Sequence, residues 1–208
     1  MVVIFDCDGV MFDSRQANVN FYNNILKKFN LPAMIEEDEY FVHMHTAEDS
    51  IKKIFSGTPY GMEAESLRTK IDYSPFIKDM VIEPGLKILL ERLKPNYGLA
   101  IATNRGNTIG PVLEAFDLTG FFDTVVSSLD VSRPKPHPES ILKIIEHFSI
   151  TPPEALYIGD SIVDLETARS AGVHFVAYNN EALKTPYKIT CLLSLLEVLD
   201  KLEVKTSN

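Results

Sequence analysis

"MVVIFDCDGVMFDS", residues 1–14, opens with apolar side chains and then places two carboxylates, Asp6 and Asp8, on either side of Cys7. A continuous rather than alternating apolar run is typical of a strand covered on both faces. Both acids follow this predicted strand, and Gly9 comes next, a residue free to adopt turn conformations. We therefore expect a buried strand that ends in a pair of like charges.

Further strand-like and helix-like segments alternate along the rest of the chain. Short apolar runs typical of buried strands lie at 99–103, 124–128, 156–159 and 174–178. Stretches with Leu and Ile at helical spacing lie at 85–94, 107–116, 138–148 and 162–171. This alternation predicts an α/β fold with a doubly wound parallel sheet.

The first predicted strand breaks this rhythm. About seventy residues separate Asp13 from the next sheet-type unit near Pro84, far more than an ordinary crossover uses. Predicted helices lie at 18–29, 46–55 and 63–71, with breaks at 31–39 and 56–61. We expect an α/β catalytic core at 1–13 and 82–208, and an inserted helical cap at 14–81 over the carboxyl ends of the strands, where such sheets bind ligands.

Composition and charge restrict the class of protein. Among the 208 residues, 20 are basic and 29 acidic, which gives a formal net charge of -9, the wrong sign for nonspecific nucleic-acid binding. No apolar run approaches the ~20 residues of a spanning helix, so we expect no membrane association. Two cysteines, Cys7 and Cys191, are too few for a disulfide framework, so we expect a cytoplasmic protein in which Cys7 packs in the core.

Polar residues follow the predicted strands at four places: Asp6 with Asp8, Thr103 with Asn104, Lys135, and Asp160 with Asp164. Each has an ordinary structural explanation, such as a turn, a solvated loop charge or a helix cap. Parallel topology nevertheless brings all four places to one edge of the sheet. Their combination therefore favours a shared site.

In this order the four segments resemble the motifs of the haloacid dehalogenase-like superfamily, most of whose members are phosphatases. The matching segments are "DCDGV" (6–10), "IATN" (101–104), "RPKPHPE" (133–139) and "GDSIVD" (159–164). The resemblance is strongest to the phosphoglycolate-phosphatase-like branch, whose helical cap follows the first motif. It implies a Mg²⁺-dependent phosphatase that acts on a small phosphorylated metabolite.

The chemistry of the two aspartates fits phosphoryl transfer. An ionised Asp6 can attack phosphorus without a partner base and form an aspartyl phosphate. Asp8 can protonate the leaving oxygen and later accept a proton from water. We expect the like-charged neighbour to raise the pKa of Asp8 and so to permit this exchange.

Several carboxylates around a phosphate require a cation, because each would repel it by several kcal/mol at an effective dielectric of ~20. Mg²⁺ prefers oxygen ligands and can bridge to phosphate. By resemblance its ligands are Asp6, the backbone carbonyl of Asp8, Asp160 and Asp164. Asp164 either binds the ion directly or contacts a group that does. Phosphate binding is expected from Lys135, from the Thr103 hydroxyl and from the backbone amide of Asn104.

The sequence alone leaves the substrate and the oligomeric state open. His45 or Thr46 in the cap is a candidate for contact with the substrate, and Arg15, Arg68 and Arg105 are weaker candidates for binding a second anionic group. The alternatives are a phosphomutase of the β-phosphoglucomutase type, whose relatives typically have a histidine where this chain has Asn18, and a phosphoacceptor receiver module. The chain is expected to be a monomer or a homodimer.

Overall fold

The computed structural model describes residues 1–206, with side chains described for residues 1–203. The strands are β1 (Val2–Phe5), β2 (Phe12–Asp13), β3 (Val81–Ile82), β4 (Gly98–Ala102), β5 (Thr124–Val126), β6 (Ala155–Gly159), β7 (His174–Tyr178) and β8 (Tyr187–Ile189). The helices are α1 (Arg15–Lys28), α2 (Glu36–Met44), α3 (Ala47–Ile54), α4 (Gly61–Arg68), α5 (Ser74–Ile77), α6 (Leu86–Leu93), α7 (Ile109–Ala115), α8 (Glu139–Phe148), α9 (Ile162–Ala171) and α10 (Leu195–Thr206).

Six of the strands form one parallel sheet in the order β5-β4-β1-β6-β7-β8. The first strand, β1, lies at the centre, and its last residue, Phe5, is level with Ile101 of β4 and Ile158 of β6. The predicted α/β fold with a parallel sheet is confirmed. Because these three strands end together, the polar residues that follow them meet at one edge.

Helices cover both faces of the sheet, and β1 shows why. Val3 and Phe5 belong to one buried cluster, whereas Val2 and Ile4 belong to a second cluster on the opposite face. Burying each such side chain contributes about 1.5–3 kcal/mol relative to leaving it exposed. The continuous apolar run therefore stabilises a strand that is buried on both sides and anchors the residues that follow it.

Helices α1 to α5 form an insertion between β2 and β3, which we call the helical insertion (residues 14–80). The two short strands pair antiparallel, with Phe12 opposite Ile82, so the chain leaves and re-enters the core side by side. Phe21 of α1 packs at 5.2 Å from the ring of Tyr73 and 5.5 Å from that of Phe76. These contacts hold the first and last parts of the insertion together beside its attachment point.

Two details differ from the sequence-based expectations. The predicted break at 31–39 is too long, because α2 already begins at Glu36. Its first turn is entirely acidic, and negative charge is favourable at a helix N-terminus. The short strands β2, β3 and β8 were not predicted, since two or three residues are too few for a periodic pattern. None of the described helices is long and apolar enough to span a membrane.

Candidate active site

A buried lysine joins two of the four predicted segments. Lys135 Nζ donates to Asp6 Oδ1 at 2.8 Å and to Asp164 Oδ1 at 2.7 Å, and it also contacts the hydroxyl of Tyr157 at 2.8 Å. Burial alone would favour the neutral amine, but the two carboxylates outweigh it and raise the pKa of Lys135 above its ordinary value. The lysine is therefore a fixed positive charge beside Asp6.

Asn104 holds the loop that carries this lysine. Its side-chain oxygen accepts from the Lys135 backbone N–H at 3.0 Å, and its side-chain nitrogen donates to the Lys135 carbonyl at 3.1 Å. The preceding residue, Thr103, is tied to β5 because its N–H donates to the Val126 carbonyl at 3.0 Å. Both residues and Lys135 line the same cavity as Asp6. The structure therefore brings the predicted phosphate-binding residues together.

Three carboxylates gather beside that lysine. Asp6, Asp160 and Asp164 each place an oxygen within 4.8 Å of the others. Burial and the nearby Asp164 raise the pKa of Asp6 well above its ordinary value, despite Lys135, and burial raises that of Asp160. One lysine is therefore insufficient to balance the cluster. Clustered carboxylate oxygens are suitable ligands for a hard divalent cation, so the residues present fit Mg²⁺.

Asp164 differs from the other two acids because hydrogen bonds occupy both of its oxygens. Oδ1 accepts from Lys135 and from the Tyr157 hydroxyl at 2.7 Å, while Oδ2 accepts from the Ser161 backbone at 3.1 Å and its hydroxyl at 2.5 Å. Ser161 also caps α9 by accepting from the Asp164 N–H. Asp164 thus orients Lys135 and fixes the start of α9 in the observed arrangement.

Gly9 allows the turn after Asp8 to pass close to the acidic cluster. Its φ of +81° lies in the left-handed region, where other residues are strained. A Cβ atom at this position would also lie 2.2 Å from Asp160 Oδ2. The turn therefore requires glycine for both its backbone conformation and its packing.

Asp8 is held by Arg105, and this overturns one expectation. Arg105 Nε donates to Asp8 Oδ2 at 3.1 Å, and both Arg105 Nη2 and Ser14 Oγ donate to Oδ1. Burial raises the pKa of Asp8, but the guanidinium outweighs it and lowers the pKa to about 2. The prediction that a like-charged neighbour raises this pKa is therefore wrong, because the arginine is the dominant charge.

Arg105 also connects this pair to the helical insertion. Its guanidinium lies 5.0 Å from the centre of the Tyr73 ring, a distance at which a cation is attracted to an aromatic face. The hydroxyl of Tyr73 in turn donates to Asn18 Oδ1 at 2.7 Å. Asp8 is thus linked through Arg105 to two residues of the insertion.

The cavity that contains these groups lies between the helical insertion and the sheet edge. Its volume is about 70 Å³. This volume is enough to hold water. The core contributes charged residues, including Asp6, Asp8, Lys135 and Asp160, and the insertion contributes both polar and apolar side chains. A ligand in this space would touch both parts of the chain.

Two predicted specificity residues, His45 and Thr46, have structural partners. The His45 ring stacks on Phe41 at 3.8 Å, and its Nδ1 lies 3.0 Å from the Phe41 carbonyl, although the residue still lines the cavity. Thr46 is the N-cap of α3 and accepts from the Asp49 N–H at 3.1 Å. These contacts explain why the chain has such residues at the junction of α2 and α3.

The predicted anion-binding arginines are divided between the surface and the cavity. The side chain of Arg15 is 54% exposed and lies 3.4 Å from Glu39. Arg68 lines the cavity, but both of its bonding nitrogens contact Glu65, at 2.8 and 2.5 Å. Neither arginine is therefore a free cation facing the acidic cluster.

Two residues that the sequence did not single out for the site lie beside it. His43, in the last turn of α2, places Nε2 at 3.8 Å from Asp160 Oδ2. Burial opposes its charge, but Asp160 and Asp8 raise the pKa of His43 above its ordinary value. Tyr157 looks like an ordinary strand residue in the sequence. Only the bounds of α2 and the face of β6 show that these side chains point toward the site.

Comparisons with known proteins agree with this geometry. The family model for haloacid dehalogenase-like hydrolases matches residues 3–178. A curated phosphoglycolate phosphatase of Nitrosospira multiformis is 28% identical over 200 residues, covering 91% of this chain and 88% of the relative. The crystal structure of a hydrolase of the same superfamily from Geobacter sulfurreducens has a TM-score of 0.84 at 37% identity, covering 95% of this chain and 98% of that one.

A β-phosphoglucomutase structure from Clostridium difficile has a TM-score of 0.86 but only 18% identity, covering 100% of this chain and 99% of that one, so it shares the fold alone. The family match spans all four motif segments, from Asp6 to Asp164. Residues from all four segments line one cavity at the carboxyl ends of the central strands. On the family match and the shared fold together, the chain belongs to the haloacid dehalogenase-like hydrolase family.

Proposed function

We propose that this hydrolase is a Mg²⁺-dependent phosphatase that cleaves a short phosphate monoester through an aspartyl phosphate on Asp6. The observation that supports this most directly is the position of Asp6. It follows the central strand, contacts Lys135 at 2.8 Å and lies within the acidic cluster on the floor of the cavity. A nucleophile, a fixed positive charge and a set of cation ligands are thereby concentrated in one place.

With its charge balanced by Lys135 and by the cation that the acidic cluster would hold, Asp6 would be ionised despite its burial. In the first half-reaction, an Asp6 oxygen attacks phosphorus as the ester P–O bond breaks. The leaving alkoxide takes a proton from Asp8. In the second, water attacks the phosphorus of the aspartyl phosphate and gives a proton to Asp8. Inorganic phosphate leaves, Asp6 is ionised again, and Asp8 is again protonated.

The acid role requires Asp8 to change partners. In the arrangement described here its carboxylate is ionised and paired with Arg105 and Ser14. To act as the acid, Asp8 has to give up these donors and take up a proton from water, which it then passes to the leaving oxygen. Substrate binding in the adjoining cavity would displace Arg105 and Ser14 and so favour the protonated form.

The remaining groups would neutralise the phosphoryl oxygens. Lys135 supplies a fixed positive charge, and the Thr103 hydroxyl and the Asn104 backbone amide supply hydrogen bonds. Asp6, Asp160 and the carbonyl of Asp8 would hold Mg²⁺, with Asp164 acting through Lys135 and Ser161 as its hydrogen bonds suggest. The ion, when bound, would offset the charge of the carboxylates and the phosphate.

We further propose that residues 14–81 act as a cap on a catalytic core formed by 1–13 and 82–208. The insertion contacts the site directly, since the Asn104 side chain donates to the Met44 carbonyl at 3.3 Å. The small cavity favours a short substrate. Phosphoglycolate is the first substrate to test, because several curated relatives are named as phosphoglycolate phosphatases.

A phosphomutase of the β-phosphoglucomutase type is the second candidate, because that structure shares the fold over the whole chain. The resemblance associates mutases with a histidine where this chain has Asn18. Here that side chain accepts a hydrogen bond from Tyr73 at 2.7 Å, an arrangement with no catalytic proton. Membership of a hydrolase family and the large helical insertion argue against a receiver module.

The test is a phosphate-release assay with phosphoglycolate, sugar phosphates, nucleotides and pyrophosphate. We expect Asp6→Asn to abolish turnover, while Asp13→Asn, an exposed aspartate seven residues away, keeps it. Near-normal hydrolysis by Asp6→Asn would refute the proposed chemistry. Isomerisation of a sugar phosphate without net phosphate release would instead identify a mutase.

A further inference from the structure

The last turn of α2 is the part of the helical insertion that reaches the catalytic edge. His43 lies against Asp160, which follows β6, while the carbonyl of the next residue, Met44, accepts from Asn104, which follows β4. Two adjacent residues of the insertion thus meet the two loops on either side of Asp6. A group bound on Asp6 would find His43 facing it from the insertion.

His43 has no short hydrogen bond. Its Nδ1 is buried without a hydrogen-bond partner among the described residues. Its Nε2 is 3.8 Å from Asp160 Oδ2, too long for a hydrogen bond. Buried polar atoms are almost always paired, and leaving one unpaired is costly. An imidazole in this state is available to a ligand.

The neighbouring polar groups of the cavity are already engaged. Arg105 is bonded to Asp8, Arg68 to Glu65, and Lys135 to carboxylates of the core. His45 has its ring stacked on Phe41 and its Nδ1 against a backbone carbonyl. Of the basic side chains that line this cavity, His43 is therefore the one with a buried nitrogen left unpaired among the described residues.

The two walls of the cavity would meet different ends of a phosphate monoester. The core wall holds Asp6, Lys135 and Thr103, so the phosphoryl group would lie there. The alcohol part would then face the insertion, whose lining includes His43 and apolar side chains such as Val42 and Ile71. An oxygen acceptor on that alcohol would accept a hydrogen bond from the His43 imidazole, whereas a plain alkyl group would leave the imidazole without a hydrogen bond.

We propose that His43 is a specificity-determining residue that donates a hydrogen bond to an oxygen acceptor, such as a carboxylate, on the alcohol part of a short phosphate monoester. The proposal rests on the proposed phosphatase function, which supplies the orientation of the substrate. It assigns to His43 the role that the sequence assigned to His45 or Thr46.

The test uses two phosphonates that cannot be hydrolysed at a P–O ester bond. 3-Phosphonopropionate carries a carboxylate, and propylphosphonate has a methyl group in its place. Their dissociation constants are measured by calorimetry with Mg²⁺ present, for the unaltered chain, His43→Ala, His43→Gln and the control His45→Ala. Thermal unfolding of each variant shows whether it is folded.

We expect the unaltered chain and His45→Ala to bind the carboxylate compound at least about tenfold more tightly, the effect of one charged hydrogen bond. His43→Ala should lose this preference, and His43→Gln, which keeps a donor, should retain part of it. An equal weakening of both compounds, or an unchanged preference in folded His43→Ala, would overturn the assignment.

Phosphate release, measured separately, distinguishes the two proposals. One outcome is that the unaltered chain releases phosphate while its preference for the carboxylate compound does not depend on His43. That result would refute only the role of His43. A preference lost in His43→Ala without release from any ester would refute only the phosphatase.

Discussion

Replacing Arg105 by Met tests how Asp8 is held. The guanidinium and the Asp8 carboxylate are both buried, with side chains 5% and 13% exposed, so screening by water is weak. Arg105 outweighs the desolvation of Asp8 and lowers its pKa from 3.8 to about 2. At 1.36 kcal/mol per pKa unit, this difference corresponds to about 2 kcal/mol of stability. Removing one member of a buried pair can cost more, about 3–5 kcal/mol.

The pH dependence follows from the direction of this shift. Because the pKa of Asp8 is depressed in the folded state, its contribution is present above pH ~4 and is lost as the pH falls toward 2. We therefore expect Arg105→Met to reduce the free energy of unfolding by at least ~2 kcal/mol at pH 7, and by progressively less toward pH 3.

The assay is urea unfolding without metal at several pH values, with the exposed Arg133→Met as the matched control. Asp8→Asn and the double variant complete a double-mutant cycle, which isolates the pair from the loss of packing. A stability loss that is the same at pH 7 and pH 3, or a coupling energy near zero, would refute the reasoning.

Two further predictions concern predicted site residues. Lys135→Met should lower kcat/KM at least about a thousandfold, because it removes the proposed positive charge beside the phosphoryl group. Steady-state kinetics with any accepted ester measures this effect. A loss below about tenfold would show that another cation neutralises the phosphoryl group. Thr46→Ala should cost about 1 kcal/mol of stability through the lost helix cap while leaving the order of preferred esters unchanged. Urea unfolding and the ester panel measure both effects, and a reordered panel would return Thr46 to the specificity residues.

The residues that follow the strands could be predicted because the information is local. An apolar run followed by Asp6, or by Thr103, marks a strand end in the sequence itself. Parallel topology then brings such ends together without further knowledge. The central strands, four helices of the core (α6 to α9) and the shared edge of the sheet could therefore be predicted from the sequence.

The pairing of charges could not be predicted, because partners are far apart in the chain. Asp8 and Arg105 are 97 residues apart, and Asp6 and Lys135 are 129 apart. Sequence adjacency directed attention to the repulsion between the two aspartates, whereas the arginine decides the pKa of Asp8. His43 was missed for a related reason, because its direction depends on where α2 ends and on how the insertion lies over the core.

The central claim is that phosphate is transferred to Asp6, and trapping the acyl phosphate tests it most directly. Borohydride reduces an aspartyl phosphate to homoserine, which peptide mass spectrometry can locate in the chain. We predict homoserine at position 6 when the protein is quenched during turnover of a hydrolysed ester with Mg²⁺, and none without the ester. Sustained turnover with an unmodified Asp6, or with the label at another aspartate, would contradict the account.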